Sequence, residues 1–170
     1  TEEARLIYQG VAHMLPSSHE RRLVVDIGGR STELVLGQGL EATETASFRV
    51  GSVAWSMKYF PTGEFTDQAF KKAEIAAQAV LEEALSTYPR TQWQKAYGAS
   101  GTVGAVADIL ALAGFPENEI SLEGLDWLVK CLVRAGLAHK VQLEGLKDDR
   151  RAVIGGGVSV LRALMTLLQV

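Results

Sequence analysis

The residues Asp26-Ile27-Gly28-Gly29-Arg30-Ser31-Thr32-Glu33 decide how the fold of this chain is interpreted. Apolar and β-branched residues lie on both sides of the loop that they contain, at 23–27 and 32–37, so the pattern predicts a hairpin. In this hairpin Asp26 is opposite Glu33, and directly opposed side chains project on one face with Cβ atoms about 4.5–5.5 Å apart. The stretch therefore predicts two carboxylates side by side at the end of a hairpin.

Two negative charges at this separation repel each other unless something compensates. A divalent cation would do so, because Mg²⁺ in proteins is held by one or two carboxylates together with waters and phosphate oxygens. A proton shared between the two carboxyl groups is the other solution. Asp26 and Glu33 are therefore candidate metal ligands, and Mg²⁺ is the candidate cofactor.

The loop between the two carboxylates contains groups that bind phosphate. Gly28 and Gly29 allow the backbone to approach a ligand closely, and successive N–H groups in such a turn can converge on an anion. Ser31 and Thr32 add hydroxyl groups, and Arg30 adds a guanidinium that can bind phosphate with two parallel hydrogen bonds. The alternative is a tight turn that needs glycine and is flanked by surface carboxylates. The spacing alone leaves both interpretations open.

The rest of the pattern predicts an α/β fold. Three strands at short spacing suggest an antiparallel meander, and the later strands alternate with helices, as in a ribonuclease-H-like layer. No linker divides the chain, so we expect a single domain over residues 1–170. The predicted helices are 2–14, 66–88, 103–113, 121–135 and 158–168, and the predicted strands are 23–27, 32–37, 43–50, 95–99 and 152–154.

Two details of this pattern concern packing. Leu6, Val11 and Met14 give the first helix a partly apolar stripe, and Pro16 ends this helix. The three glycines at 155–157 are expected to precede the last helix, either to approach a ligand or to allow close packing of strand and helix.

The composition is that of an ordinary globular protein, with 47% hydrophobic and 22% charged residues among 170. A net charge of −3 gives no general electrostatic basis for binding nucleic acid. No run of 18 or more apolar residues is present, so we expect no membrane partner. Cys131 is the only cysteine, which fits a reducing compartment and predicts a cytoplasmic location.

A second candidate phosphate-binding segment is Ser100-Gly101-Thr102, at the start of a predicted helix. The N-terminus of a helix favours anions. The alternative is an ordinary N-cap, for which serine and threonine are common. His13, His19 and His139 lack the spacing of metal ligands and are expected at the surface.

The residues quoted first resemble the Asp-Ile-Gly-Gly-Gly-Ser-Thr-Glu signature of the exopolyphosphatase/guanosine pentaphosphate phosphohydrolase (Ppx/GppA) family. Three further segments resemble that family in order and spacing, so the resemblance covers essentially the whole chain. They are Glu2-Glu3-Ala4-Arg5-Leu6-Ile7, Arg49-Val50-Gly51-Ser52-Val53 followed by Phe60, and Gly98-Ala99-Ser100-Gly101-Thr102.

This resemblance implies the fold of the actin-like, sugar-kinase and Hsp70 ATPase superfamily, in which two similar lobes enclose a cleft. The chain resembles only the second lobe, and its lack of an initiator methionine fits a piece of a longer protein. The first lobe of the same protein is therefore an expected partner. The resemblance also allows a homodimer of the full-length form.

The resemblance also implies a reaction, the Mg²⁺-dependent hydrolysis of a terminal phosphoanhydride bond. The implied substrate is inorganic polyphosphate or guanosine pentaphosphate, a nucleotide of the stringent response. Glu3 would activate the attacking water, although Glu2 competes with it for this role, and Asp26 and Glu33 would hold the metal or its waters. Amides of residues 28–32 would hold the phosphate. Because the substrate would lie between two lobes, the isolated chain is expected to be nearly inactive.

One position departs from the family pattern. Arg30 stands where the family has a third glycine, and arginine cannot adopt the extreme backbone angles that glycine allows. Either this position does not need those angles or the loop differs. The side chain either reaches a phosphate in the cleft or points to solvent, and we favour the first.

Two other functions share these features. One is an actin-like ATPase or acetokinase-type phosphotransferase, and the other is a nucleotide-sensing module that has lost turnover. The fold alone does not separate them from a phosphatase. The segment Glu2-Glu3-Ala4-Arg5 ahead of the hairpin favours the phosphatase.

Overall fold

A four-stranded sheet forms the centre of the computed structural model, which describes all residues from 1 to 170. The strands lie in the order β3-β2-β1-β4, with the β1–β2 and β2–β3 pairs antiparallel and β4 parallel to β1. The predicted meander is therefore confirmed. The strands are β1 (Arg21–Ile27), β2 (Thr32–Gln38), β3 (Glu41–Phe48) and β4 (Lys95–Ala99).

Helices cover both faces of the sheet. The helices are α1 (Glu2–Met14), α2 (Ser52–Tyr59), α3 (Asp67–Leu81), α4 (Ala84–Thr87), α5 (Gly101–Leu112), α6 (Leu122–Ala135), α7 (Asp148–Arg151) and α8 (Ile154–Leu168), with short 3₁₀ turns at Arg90–Gln92 and Ala138–Lys140. None of these helices combines the length and the apolar character needed to cross a membrane.

The two faces carry different cores because side chains alternate along each strand. Leu23, Val25 and Leu34 point into the main core, which they share with helices α2, α3, α5, α6 and α8. Val24 and Val35 point to the opposite face, where α1 covers them. Asp26 and Glu33 follow the same alternation and therefore lie on the α1 side of the sheet.

Helix α1 has the predicted bounds but packs with a different face. Ala4, Tyr8 and Ala12 are its buried residues and contact the sheet, whereas Leu6 and Met14 are 59% and 87% exposed. The face that meets the sheet is formed by residues spaced by four, and the hydroxyl of Tyr8 on this face donates to Gly39 O at 3.1 Å. The hydroxyl oxygen of Thr1 caps the helix by accepting from Ala4 N.

The long helix predicted at 66–88 is divided. Its start is confirmed, since the Thr66 hydroxyl oxygen accepts a hydrogen bond from Ala69 N at 3.1 Å. Regular hydrogen bonding ends at Leu81, and a single i to i+3 bond from Leu85 N to Glu82 O leads into α4. Helix α2 was not predicted from the sequence.

The last strand, predicted at 152–154, is wrong. Helix α8 begins at Ile154, so the three glycines form the first turn of the helix rather than a loop before it. A Cβ atom on Gly156 would overlap the carbonyl oxygen of Ser52, and Gly156 N donates to Ser56 Oγ at 2.9 Å. The glycines therefore allow the backbones of α2 and α8 to come into contact.

Candidate functional site

The predicted carboxylate pair forms the centre of the site. Asp26 and Glu33 are direct partners in the β1–β2 ladder, as the hairpin pattern predicted. The same row continues to Ser47 on β3 and to Ala99 on β4, so one line of residues crosses all four strands near the hairpin loop. No lysine or arginine forms an ion pair with either carboxylate.

Glu33 is held by two hydroxyl groups. The Oγ atoms of Ser31 and Ser47 both donate to Glu33 Oε1, each at 2.8 Å, and the Glu33 residue is only 9% exposed. Its other oxygen, Oε2, has no hydrogen-bond partner in the chain and is not among the fully enclosed polar atoms. This oxygen is therefore free to bind a cation or a water.

The environment of Asp26 disfavours its charge. Burial raises the pKa of this carboxyl, and the neighbouring carboxylate of Glu33 raises it further. A hydrogen bond with the Ser100 side chain lowers the pKa of Asp26 in part, and Glu3 adds a smaller electrostatic contribution that raises it. Asp26 thus lies among like charges that a cation would relieve.

Glu3 is an exposed residue in the first turn of α1. It is close enough to Asp26 to act on the pKa of that carboxyl, whereas Glu2 has no such effect. Of the two glutamates, Glu3 is therefore the one that interacts electrostatically with Asp26.

The hairpin loop directs its carbonyl groups to one side. Gly28 O accepts from Ser52 N at 2.9 Å, and Gly29 O accepts from Val53 N and Ala54 N at 2.9 and 3.0 Å. These bonds satisfy the first N–H groups of α2, which has no side-chain cap. Since N–H and C=O point in opposite directions across a trans peptide, the N–H groups of residues 29 and 30 point away from α2.

Three consecutive amides in this loop have no acceptor in the chain. They belong to Gly29, Arg30 and Ser31, while the amide of Gly28 donates to Ser31 O at 2.9 Å. Successive unpaired N–H groups of this kind form an anion-binding concavity. Of the predicted amides at 28–32, the amide of Gly28 is thus already used within the loop.

The hydroxyl of Thr32 has a structural role instead of the predicted one. It is fully buried and donates to Val50 O at 2.7 Å, which ties the hairpin to the segment before α2. Ser31 likewise donates its hydroxyl to Glu33. Both side chains are therefore committed within the protein, and the loop presents backbone N–H groups.

Arg30 does not need the backbone freedom of glycine. Its φ angle is not positive, and its exposed side chain forms no ion pair. The tight position is Gly51, where a Cβ atom would lie 2.6 Å from Gly29 O and from Arg30 N. The first of the two alternatives raised by the sequence therefore holds, because the loop tolerates arginine at this position.

The second predicted segment also lies at the site. Ser100 has a φ of 95°, a strained conformation for a residue with a side chain, and it links β4 to the first turn of α5. The guanidinium of Arg150 packs against Gly101, and Thr102 is buried beside Gly157 of α8. Arg150 was not predicted as a site residue, because its position over α5 depends on the tertiary fold.

The site suits a hard divalent cation that shares its coordination with phosphate. The chain has no cluster of three or more histidine, cysteine, aspartate or glutamate side chains arranged to hold a metal by themselves. Two carboxylates beside an anion-binding loop match the way in which Mg²⁺ is bound, with protein, water and phosphate oxygens together. Asp26 and Glu33 Oε2 would be the ligands.

The candidate site is thus a hairpin with paired carboxylates and unpaired loop amides, set on the mixed sheet of an α/β lobe. The chain belongs to the Ppx/GppA phosphatase family, whose model matches residues 1–170.

Solved structures agree with this assignment. A Ppx/GppA phosphatase from Aquifex aeolicus superimposes with a TM-score of 0.80 at 22% identity, covering 99% of this chain and 56% of that one. An exopolyphosphatase from Cytophaga hutchinsonii gives 0.75 at 22% identity, covering 98% and 56%. An exopolyphosphatase-like protein gives 0.81 at 23% identity, covering 98% and 56%. The predicted fold class, an actin-like lobe, is confirmed, and the chain spans about half the length of these structures.

Proposed function

We propose that this chain is the second lobe of an enzyme that hydrolyses terminal phosphoanhydride bonds. The observation that carries the proposal is the position of three unpaired amides, at residues 29–31, beside the Asp26–Glu33 pair. Hydrolysis of a phosphate chain needs a group that binds the terminal phosphate and a group that handles the attacking water. Both kinds of group lie at one end of this sheet.

The loop would hold the terminal phosphate through its amides, and Arg30 would add a guanidinium from an exposed position at the same loop. Mg²⁺, when bound to Asp26 and Glu33, would neutralise charge on the phosphate oxygens. Glu3 would orient a water and accept its proton, as a carboxylate near a nucleophilic water can. The electrostatic effect of Glu3, from the first turn of α1, on the pKa of Asp26 supports this role.

We propose inorganic polyphosphate and guanosine pentaphosphate as the substrates. Two of the similar structures described above are named as an exopolyphosphatase and an exopolyphosphatase-like protein, which supports a linear phosphate chain. Both proposed substrates end in a phosphoanhydride, so the same loop would serve either. The half-buried, unpaired Cys131 fits the reducing cytoplasm as the location.

The substrate would bind between this lobe and a first lobe of the same protein. The unpaired amides of residues 29–31 lie in the loop between β1 and β2 and would contact the terminal phosphate from one side only. Residues 1–170 alone should therefore release phosphate far more slowly than the full-length protein. Rapid hydrolysis by these residues alone would contradict the two-lobed site.

The test is phosphate release by the full-length protein from polyphosphate and from guanosine pentaphosphate, with Mg²⁺ and with excess chelator. We expect release from at least one substrate, abolished by the chelator and restored by added Mg²⁺. A protein that binds either substrate without releasing phosphate would be a sensing module, and this result would overturn the proposal. Transfer of phosphate from ATP to acetate, without hydrolysis of either chain, would indicate a phosphotransferase.

A further inference from the structure

Ser47 on β3 is a polar residue that the proposed reaction does not yet use. It is the direct ladder partner of Glu33, and its hydroxyl donates to Glu33 Oε1 at 2.8 Å. Ser31, which precedes Glu33 on the hairpin, donates to the same oxygen at the same distance. Two hydroxyl donors thus converge on one atom of a carboxylate that has no cationic partner.

These two hydrogen bonds fix the orientation of the Glu33 carboxylate. With Oε1 bonded twice, the side chain of Glu33 cannot rotate without breaking both hydrogen bonds. Its other oxygen, Oε2, accepts no hydrogen bond and is not enclosed, so it is the only carboxylate oxygen of Glu33 available to a ligand. Outer groups that hydrogen-bond to a metal ligand fix its orientation. Removing one typically lowers metal affinity or activity about 10- to 100-fold.

We infer that Ser47 is a positioning residue for Glu33: together with Ser31 it fixes Oε1 and thereby presents Oε2 to a divalent cation or water at the hairpin loop. This inference rests on the proposed function, because it assigns Glu33 to the metal side of the phosphate site. It adds a third strand to that site, since Ser47 lies on β3 whereas the carboxylates lie on β1 and β2.

The register explains why Ser47 was not found in the sequence. The turn between β2 and β3 pairs Gln38 with Glu41, and counting back from that pair places Ala46 opposite Glu33. A bulge between Leu36 and Gly37 shifts the register by one residue. Ser47 therefore takes the position opposite Glu33, and its side chain lies on the site face of the sheet.

The experiment compares Ser47→Ala, Ser47→Thr and Ser86→Ala in the full-length protein. Ser86→Ala is the matched control, because it makes the same change at an exposed serine whose hydroxyl donates to the backbone oxygen of Glu83 and to no carboxylate. Calorimetric titration with Mn²⁺ alone should show about tenfold weaker binding in Ser47→Ala than in the wild type. Ser47→Thr, which keeps a hydroxyl, should restore binding, and Ser86→Ala should leave it unchanged.

Steady-state kinetics provide the second measurement. In Ser47→Ala we expect kcat to fall about tenfold, with a much smaller change in KM and a higher Mg²⁺ requirement. In a variant that is only less stable, a smaller fraction of the protein would be active, but its Mg²⁺ requirement would be unchanged. If Ser47→Ala does not fold, Ser31→Ala removes the other donor to Oε1 and should change Mn²⁺ affinity in the same direction.

The outcomes separate this inference from the proposed function. Equal Mn²⁺ affinity in the wild type and in a folded Ser47→Ala or Ser31→Ala variant would overturn the positioning role. A wild type that binds no Mn²⁺ would overturn it as well. A wild type that binds Mn²⁺ and loses affinity in Ser47→Ala, yet hydrolyses neither substrate, would support the positioning role while the proposed reaction fails.

Discussion

Gly51 lies so close to Gly29 that no side chain fits between the two backbones, since a Cβ atom on Gly51 would be 2.6 Å from Gly29 O. Gly29 O is also the acceptor for two N–H groups of α2. The shape of the hairpin loop is therefore fixed by its contact with the segment that starts α2. The following predictions test this arrangement and the roles of the residues around it.

Replacing Gly51 with alanine should displace the loop. We expect Gly51→Ala to lower the free energy of unfolding by about 1–3 kcal/mol, because the added methyl group overlaps backbone atoms that cannot rotate away. It should also raise KM for the phosphate substrate, as the loop amides move. Denaturant unfolding and steady-state kinetics measure the two effects.

Gly104→Ala is the matched control for this change. Gly104 lies within α5 and a Cβ atom there would meet nothing within 4 Å. Alanine should therefore be neutral or stabilising by up to about 1 kcal/mol, because it has the higher helix propensity. Equal effects of the two substitutions would show that Gly51 does not support the loop.

Asp26→Asn should make the protein more stable in the absence of divalent cations while it reduces activity. The pKa of Asp26 is raised in the folded state, so the folded protein binds more protons than the unfolded chain in the range above the usual value of 3.8. Stability contributed by this group is therefore present at low pH and is lost as pH rises through the folded pKa. Because asparagine does not ionise, Asp26→Asn should not lose stability in this way as the pH rises.

Melting curves at a series of pH values in chelator measure this difference. We expect the advantage of Asp26→Asn to grow from acidic to neutral pH, while turnover falls by at least about tenfold. The exposed Asp149→Asn controls for the simple removal of a negative charge. A lower melting temperature for Asp26→Asn at neutral pH would mean that the carboxylate is stabilised by the fold.

Glu3→Gln should abolish turnover without affecting folding. General-base catalysis contributes about 10²–10⁴ in rate, and Glu3 is exposed, so its amide replacement should leave the melting temperature unchanged. Glu2→Gln is the matched control at the adjacent position. Comparison of kcat for the two variants decides the assignment, and a larger loss in Glu2→Gln would reverse it.

Arg30→Gly restores the residue that the family pattern has at this position. Because Arg30 is exposed and has no ion pair, we expect little change in stability. If its guanidinium contacts the bound phosphate, KM should rise roughly tenfold, which corresponds to about 1.4 kcal/mol of binding free energy. Arg30→Lys should give an intermediate KM because it keeps the charge without the planar fork. An unchanged KM in Arg30→Gly would show that the side chain points to solvent.

The hairpin could be predicted from the sequence because its register depends only on local pattern. Once the loop is placed between Ile27 and Thr32, the pairing of Asp26 with Glu33 follows by counting, and the structure has that pairing. The signature residues lie within eight positions of one another, so no long-range contact enters the prediction.

Features that depend on contacts between distant segments were missed or wrong. The three glycines at the start of α8 resemble a loop in sequence. Gly156 is glycine because a Cβ atom there would overlap the backbone of Ser52, and this contact exists only in the folded chain. The buried face of α1 is set by the sheet beneath it, which covers Ala4, Tyr8 and Ala12 and leaves Leu6 and Met14 exposed. The bulge that aligns Ser47 with Glu33 has no local signal either.

The most direct test of the central claim is to follow backbone amide resonances of the full-length protein during titration with tripolyphosphate and Mg²⁺. We predict that the amides of Gly29, Arg30 and Ser31 shift most, since they are unpaired in the loop. Gly39, in the turn at the opposite end of β2, should not shift. Large shifts elsewhere with these three amides unchanged would show that the loop does not hold the phosphate.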